Sequence, residues 1–405
     1  MNTSLVAATF AFLFLAPFAG SAGLRAGLLT VSGLLLLARA RDLRPLAPSL
    51  PLAVLAAFAA WALLATLSLA WSVDRAYTRG ELKSEILYPA MALAIFYAAA
   101  ALRPERWRPW WAALLAGSAT TFAGLALQDL LPFALTRHSV LEQRGPWSTH
   151  LVLIAPLLFI LGWPRPWGAE RPAWVQAIAL AVLLAAAWAT HNRMVWIAFG
   201  VQLVLAMAAW RVTPAMAPPR IRDLRRMTVA AALVVAVAFA AALVERNERF
   251  FGAQAPVMTS FERDLRPKIW STALEQIRQA PWLGHGFGRE IVASAFVPLT
   301  PRVADHPEIR HAHNVFLDVA IELGVVGLVT LVALLLMLVR EYRGFLRRPD
   351  VAPLGVLGLT LIAGFVVKNL TDDFMHRHNA LVFWAVNGML LGLGRTARRA
   401  DETKT

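Results

Sequence analysis

Long apolar runs separated by short polar segments dominate this chain. Most runs approach the roughly 20 residues that a helix needs to cross a bilayer. We predict about twelve transmembrane helices, at residues 5–20, 23–38, 50–70, 86–102, 109–131, 150–163, 173–190, 194–211, 227–244, 315–339, 351–370 and 378–394. The pattern therefore predicts an all-α integral membrane protein with one long connecting loop.

The distribution of Lys and Arg predicts how these helices are oriented. With the N-terminus in the cytoplasm, the short cytoplasmic connections carry the excess of basic residues, as the positive-inside rule requires. Both termini are then cytoplasmic, and the active side faces the periplasm. We expect helices 1–9 in residues 1–244, a periplasmic loop at 245–313, helices 10–12 in 314–394 and a cytoplasmic tail at 395–405.

The long loop is expected to contain an amphipathic helix. Pro267 suits the first turn of a helix, and Pro281 marks its end. Between them, apolar residues recur at helical spacing on one face. The glycine-rich stretch at 284–288 then predicts a flexible turn.

Composition narrows the possible chemistry. The 405 residues are 58% hydrophobic and 16% charged, far from an ordinary soluble domain. The chain has no cysteine, which excludes disulfides, thiolate catalysis and cysteine-based zinc sites. The net charge of +14 is expected to face anionic membrane lipid and not nucleic acid.

A polar stretch at residues 310–314, directly before the run at 315–339, holds the most informative residues. A neutral imidazole can take a proton from a hydroxyl, so we predict His313 as a general base. His311 and Asn314 are predicted to support it, and Asp318 or Glu322 can orient its ring. A loop histidine without catalytic role is the plain alternative. A metal site is another, built from His306, His311 and His313 with Asp305 or Glu308.

Three arginines are candidates for binding a phosphate. Guanidinium groups bind phosphate in a bidentate manner, and we predict this role for Arg193, Arg266 and Arg144. Alternatively, Arg193 is an anchor at the membrane interface. The alternative for Arg266 is a surface salt bridge with Glu262 or Asp264.

Two further pairs have competing interpretations. Gly324 and Gly327 are expected to serve close helix packing by small residues. Asp372 and Asp373 lie in the last short outer loop, where they can hold a divalent metal or simply end a helix. Asp372 is a candidate supporting residue, which either helps to orient the acceptor or caps a helix.

These motifs resemble those of the O-antigen ligase and polymerase superfamily. The resemblance rests on His313-Asn314-x2-Leu317-x4-Glu322-Leu323-Gly324-x2-Gly327, on Arg266-x3-Trp270, on the stretch at 281–288 and on Thr190-His191-Asn192-Arg193. It covers roughly residues 185–330, and the ligases of lipopolysaccharide assembly are the most similar members.

The resemblance implies a membrane fold of glycosyltransferase C type. It implies an undecaprenyl-pyrophosphate-linked glycan as donor, a lipid A-core hydroxyl as acceptor, and no metal or other cofactor. His313 takes the position of the catalytic histidine, and Arg193 and Arg266 take the pyrophosphate-binding positions. An O-antigen polymerase or a protein O-oligosaccharyltransferase fits the same motifs. A lipid-linked glycan transporter and a membrane scaffold are the competing classes.

Overall fold

The computed structural model describes residues 3–130, 144–159, 173–212, 233, 235–245, 247–248, 252, 264–295, 310–373 and 377–402. In these ranges the secondary structure is helical, without strands. The helices of the first half are α1 (Thr3–Leu15), α2 (Ala22–Leu37), α3 (Ala40–Leu43), α4 (Leu52–Leu67), α5 (Arg75–Leu102), α6 (Trp107–Leu130), α7 (Arg144–Phe159), α8 (Ala173–Ala189) and α9 (Arg193–Val212). They are followed by α10 (Val235–Glu245), α11 (Arg266–Gln279), α12 (Ile291–Ala295), α13 (Val315–Leu346), α14 (Ala352–Asn369) and α15 (His378–Glu402).

Five of these helices are long and apolar enough to cross a membrane, judged by length and composition among the described residues. They lie at Leu52–Ala70, Arg75–Leu102, Val315–Leu346, Ala352–Asn369 and His378–Ala397. Several of the others, including α1, α2 and α9, are apolar but shorter. The described residues therefore agree with an all-helical integral membrane protein, whereas the count of twelve spans stays a prediction.

Small residues let the central helices pack closely. A Cβ on Gly388 would lie 2.4 Å from the carbonyl oxygen of Leu93, and one on Gly392 would lie 2.4 Å from that of Tyr97. These two glycines of α15 therefore allow backbone contact with α5. Helix α13 contacts both α4 and α14, and α11 packs against its first turns through Ile269 and Ile321. The first turns of α13 are thus enclosed by other elements.

Helix α13 is broken at Gly324, where φ is 65° and ψ is −163°. The break releases main-chain groups, and the segment that follows α11 satisfies them. The N–H groups of His285 and Gly286 donate to the carbonyl oxygens of Ile321 and Glu322, both at 2.9 Å. In return, the N–H of Val325 donates to the carbonyl oxygen of Pro281 at 2.8 Å.

This arrangement corrects the interpretation of Gly324. It does not serve the packing of a continuous helix, because a left-handed conformation that favours glycine interrupts the helix there. The turn at 284–288 is also not a free one, since its backbone is bonded to α13. The predicted helix after Pro267 is confirmed, with proline in the first turn and the last residue at Gln279.

Candidate functional site

The loop that carries His313 is fixed from three directions. Asn314 caps α13, its Oδ1 accepting from the N–H groups of Phe316 (2.9 Å) and Leu317 (3.2 Å). Its side-chain amide donates to the carbonyl oxygen of Leu370 at 2.9 Å. The indole of Trp270 in α11 donates to the carbonyl oxygen of Ala312 at 3.0 Å.

His313 has a positive φ of 50°, which is uncommon for a residue other than glycine. The buried carboxylate of Asp318 stabilises this local conformation, because its Oδ1 accepts from the N–H of Ala312 at 2.6 Å. Of the two carboxylates predicted to orient a histidine, Asp318 is the one nearby, with Oδ2 at 3.8 Å from Nδ1 of His311. Glu322 instead accepts from the N–H of Gly288 at 2.9 Å.

The two imidazoles lie together. The ring centroids of His311 and His313 are 4.1 Å apart. The backbone N–H of His313 donates to Nδ1 of the His311 ring at 3.2 Å. Burial lowers the pKa of His313 to about 4, and His311, Arg266 and Arg289 act in the same direction against the carboxylate of Asp372. At neutral pH this imidazole is uncharged and has a free lone pair, but it does not titrate near neutrality as the sequence suggested.

Arg193 and Arg266 meet at a single carboxylate oxygen. Nη2 of Arg193, at the start of α9, lies 3.2 Å from Oδ2 of Asp264, and Nη1 of Arg266 lies 3.0 Å from the same atom. The side chains are mostly buried, with 11% and 25% exposed. Two guanidinium groups from segments far apart in sequence thus converge on one anion.

A second carboxylate, Asp372, lies at the other side of Arg266. Lys368 of α14 is fully buried and bonds Oδ2 of Asp372, which also accepts from the side-chain amide of Asn192 at 3.3 Å. Nη2 of Arg266 is 4.0 Å from Oδ1 of Asp372, and its Nε donates to the carbonyl oxygen of Thr371 at 3.1 Å. Asp372 is therefore part of an ion-pair network and does not merely end a helix.

Arg289, which follows the glycine-rich stretch, adds another cation. Its Nη1 donates to the carbonyl oxygen of Asp373 at 2.7 Å, and its Nη2 lies 3.6 Å from Glu290. Although burial opposes it, the carboxylates of Asp373 and Glu290 raise the pKa of Arg289. Since the charges of both Arg266 and Arg289 reach His313, the imidazole and the basic cluster lie at the same end of the bundle.

One cluster in the described ranges has the composition of a metal site. Ligand atoms of His311, Asp318 and Asp373 lie within 4.8 Å of one another. However, Nδ1 of His311 already accepts the N–H of His313. Binding a cation through that nitrogen would require this hydrogen bond to break.

A cavity of about 70 Å³ adjoins the cluster. Its polar wall contains the carboxylates of Glu81, Glu85, Glu322 and Asp373 together with Arg289. Its aromatic wall contains Phe58, Trp61, Phe287 and Trp384. Carboxylates accept hydrogen bonds from hydroxyl groups and aromatic faces stack on apolar ring faces, so the lining suits a polyhydroxylated ring.

Some predicted residues lie outside the part that the structure describes. They are the side chain of Arg144 and the residues Glu262, Asp305, His306 and Glu308.

Conversely, sequence reasoning did not select Arg289, Lys368 or Asn192. A signal existed for Lys368, a single lysine within an apolar run, because intramembrane charges are costly and often functional. Arg289 is identified only by its contacts, and Asn192 was noted only as the neighbour of Arg193 in a motif.

The fold and the site define a class. The described residues form a helical bundle suited to a membrane, with a half-buried imidazole and a basic cluster suited to an anionic ligand at one end. Residues 178–332 match the family described as O-Antigen ligase. The chain is also 28% identical over 278 residues to a protein named O-antigen ligase from Pseudomonas aeruginosa, which covers 66% of this chain. These matches make the chain similar to the O-antigen ligase family over these residues, as its motifs indicated. It spans 59% of the length of that relative.

Proposed function

We propose that this protein transfers O-antigen polysaccharide from undecaprenyl pyrophosphate to a sugar hydroxyl of lipid A-core, at the periplasmic face of the bacterial inner membrane. The transfer inverts the anomeric carbon and needs no metal. The observation that carries the proposal is the convergence of Arg193 and Arg266 on one anion position, at the end of the bundle that holds His313.

The arginines have the chemistry that the leaving group needs. When the glycosidic C–O bond breaks, its electron pair stays on undecaprenyl pyrophosphate, and negative charge grows on the bridging oxygen. Fixed cations stabilise such charge without reorganising, at about 3–4 kcal/mol for one well-placed donor. Arg289, with its raised pKa, supplies a further positive charge near His313. Arg144 is retained as a further candidate for phosphate binding.

His313 has the state that a base needs at neutral pH. We propose that its lone pair accepts the acceptor hydroxyl proton while the acceptor oxygen bonds to the anomeric carbon. Attack opposite to the leaving pyrophosphate gives inversion in one step, without a covalent enzyme intermediate. His311, Asn314 and Asp372 position this base and the acceptor. The lined cavity beside Arg289 is the proposed location of sugar units.

The family and the relative's name support this choice of substrates. Two members of the same class remain alternatives, an O-antigen polymerase and a protein O-oligosaccharyltransferase, which differ only in the acceptor. A lipid-linked glycan transporter is the alternative from another class. It is disfavoured because the polar residues of the site lie at helix ends, whereas transporters place theirs near the middle of the membrane.

The decisive experiment is an acceptor assay with the purified full chain in detergent or vesicles. Lipid-linked glycan is supplied with lipid A-core, with a second lipid-linked glycan or with a pilin peptide, without ATP and with a chelator. We expect ligated lipid A-core as the main product. His313→Ala should abolish turnover while donor binding and thermal stability stay close to wild type. Loss of activity with chelator, or full activity of His313→Ala, contradicts the mechanism.

A further inference from the structure

Asp264 occupies the point at which the two proposed phosphate-binding arginines converge. One of its oxygens, Oδ2, is 3.2 Å from Arg193 and 3.0 Å from Arg266. Its other oxygen, Oδ1, accepts from the N–H of Arg266 at 3.0 Å. Both guanidinium groups therefore already bind an anion that belongs to the chain.

This internal anion is permanently charged at physiological pH. Partial burial by itself would raise the pKa of Asp264, but the hydrogen bonds and charges of Arg266 and Arg193 outweigh burial and lower it. The side chain of Asp264 is 21% exposed, and the residue lies just before the start of α11. Only the two arginines and one local backbone N–H hold the carboxylate. Rotation about the side-chain torsions of Asp264 can therefore release it without moving a helix.

A second anion cannot simply be added at this point. Two negative charges at hydrogen-bonding distance from the same guanidinium groups repel each other, and more strongly in a partly buried site than in water. A ligand anion must therefore displace the carboxylate. The ligand binds the two guanidinium groups more tightly than the carboxylate of Asp264 does only if it carries more charge or offers them more oxygens.

We propose that Asp264 is a specificity-determining residue that competes with the ligand for Arg193 and Arg266, and so excludes weakly charged phosphates in favour of pyrophosphate. This inference rests on the proposed function of the two arginines. Singly charged phosphodiester headgroups surround any membrane protein in large excess. An internal competitor keeps them from filling a basic site that has to bind a scarce pyrophosphate-linked donor.

The opposite role for Asp264 is a brace that holds the arginines in place. The two roles predict opposite signs for the same variant. Asp264→Asn keeps the shape of the side chain and removes its charge. If Asp264 competes, the variant binds anions more tightly. If Asp264 braces, the variant binds them more weakly.

The test measures binding of inorganic pyrophosphate and of inorganic phosphate to the detergent-solubilised full chain by calorimetry, at fixed ionic strength. We expect Asp264→Asn to bind inorganic phosphate at least tenfold more tightly than wild type, and the preference for pyrophosphate to shrink. Asp350→Asn is the matched control, because Asp350 pairs with Arg348 at the other end of α13. Unchanged or weaker phosphate binding by Asp264→Asn overturns the inference.

Two further variants separate the possible failures. If Arg193→Ala and Arg266→Ala bind pyrophosphate as wild type does, the proposed function of the arginines is wrong, whatever Asp264 does. If Asp264→Asn is unstable by thermal denaturation, Asp264→Ser replaces it. A serine hydroxyl is neutral and can still accept the backbone N–H, so it is expected to show the same gain, and absence of that gain overturns the inference.

Discussion

Gly284 and Gly324 each lie against the backbone of the other's segment. A Cβ on Gly284 would be 2.4 Å from the carbonyl carbon of Glu322, and one on Gly324 would be 2.3 Å from that of Trp282. Both glycines have a φ of 65°. This contact leaves no room for a side chain at either glycine. It therefore holds the first part of α13, which follows His313, at a fixed position.

We expect Gly324→Ala to destabilise the protein strongly. The combination of a positive φ with an extended ψ is essentially reserved for glycine and costs about 1–3 kcal/mol for another residue, and the backbone contact adds to this cost. The measurement is the midpoint of thermal unfolding in detergent. Gly344→Ala in the same helix is the control, because its Cβ would meet nothing within 4 Å. Equal midpoints for the two variants would contradict the role of the contact.

We expect Arg193→Ala and Arg266→Ala to lower kcat/KM for the donor by about 2–4 kcal/mol each, if both contact charge in the transition state. Arg-to-Lys variants should recover only part of the loss, because lysine lacks the planar fork that binds two oxygens. Arg348→Ala, at the far end of α13, is the control and should have wild-type kinetics. Full recovery by lysine would argue against bidentate binding.

The pH profile should report His313. Since its pKa is lowered to about 4 in the free protein, the acid limb of kcat/KM should lie near pH 4, below which the imidazole is protonated and cannot act as a base. Bound pyrophosphate offsets the charges of Arg266 and Arg289, so the pKa rises and the acid limb of kcat should lie at higher pH. Coincident limbs for kcat and kcat/KM would contradict this coupling.

The hydrogen bond from Trp270 to the His313 loop can be removed without removing the ring. We expect Trp270→Phe to cost about 1 kcal/mol of stability. It should lower kcat more than it changes the donor KM, because the loop that carries the base is loosened while the arginines are untouched. Trp282→Phe is the control, since that side chain is 69% exposed. A change confined to the donor KM would show that Trp270 acts on donor binding instead.

The helices could be predicted because their signal is local. The apolar run at 194–211 corresponds to α9, and the run at 315–339 is the core of α13. Asn314 directly precedes that run in the sequence and forms the N-cap of the helix. Hydropathy and capping depend on neighbours in sequence, so both can be read without coordinates.

Other features could not be predicted, since they depend on contacts between distant segments. The break at Gly324 lies inside a strongly apolar run and exists because residues 281–286 bond to the released backbone groups. The low pKa of His313 arises from burial and from arginines elsewhere in the chain. Asp264 was considered only as a surface salt-bridge partner of Arg266, and its simultaneous bond to Arg193 has no signal in the sequence.

In each of the two hydrogen bonds that hold the His313 loop, the donor residue and the acceptor residue differ in their tolerance to mutation. Trp270 and Asn314 donate to main-chain carbonyl oxygens of residues 312 and 370, which every amino acid possesses. Substitution of residue 312 or 370 can therefore leave the hydrogen bond intact, whereas substitution of Trp270 or Asn314 removes its donor. Among divergent homologues, the geometry around the imidazole should persist wherever the indole and the side-chain amide are retained, even if the residues that supply the acceptor carbonyl groups vary.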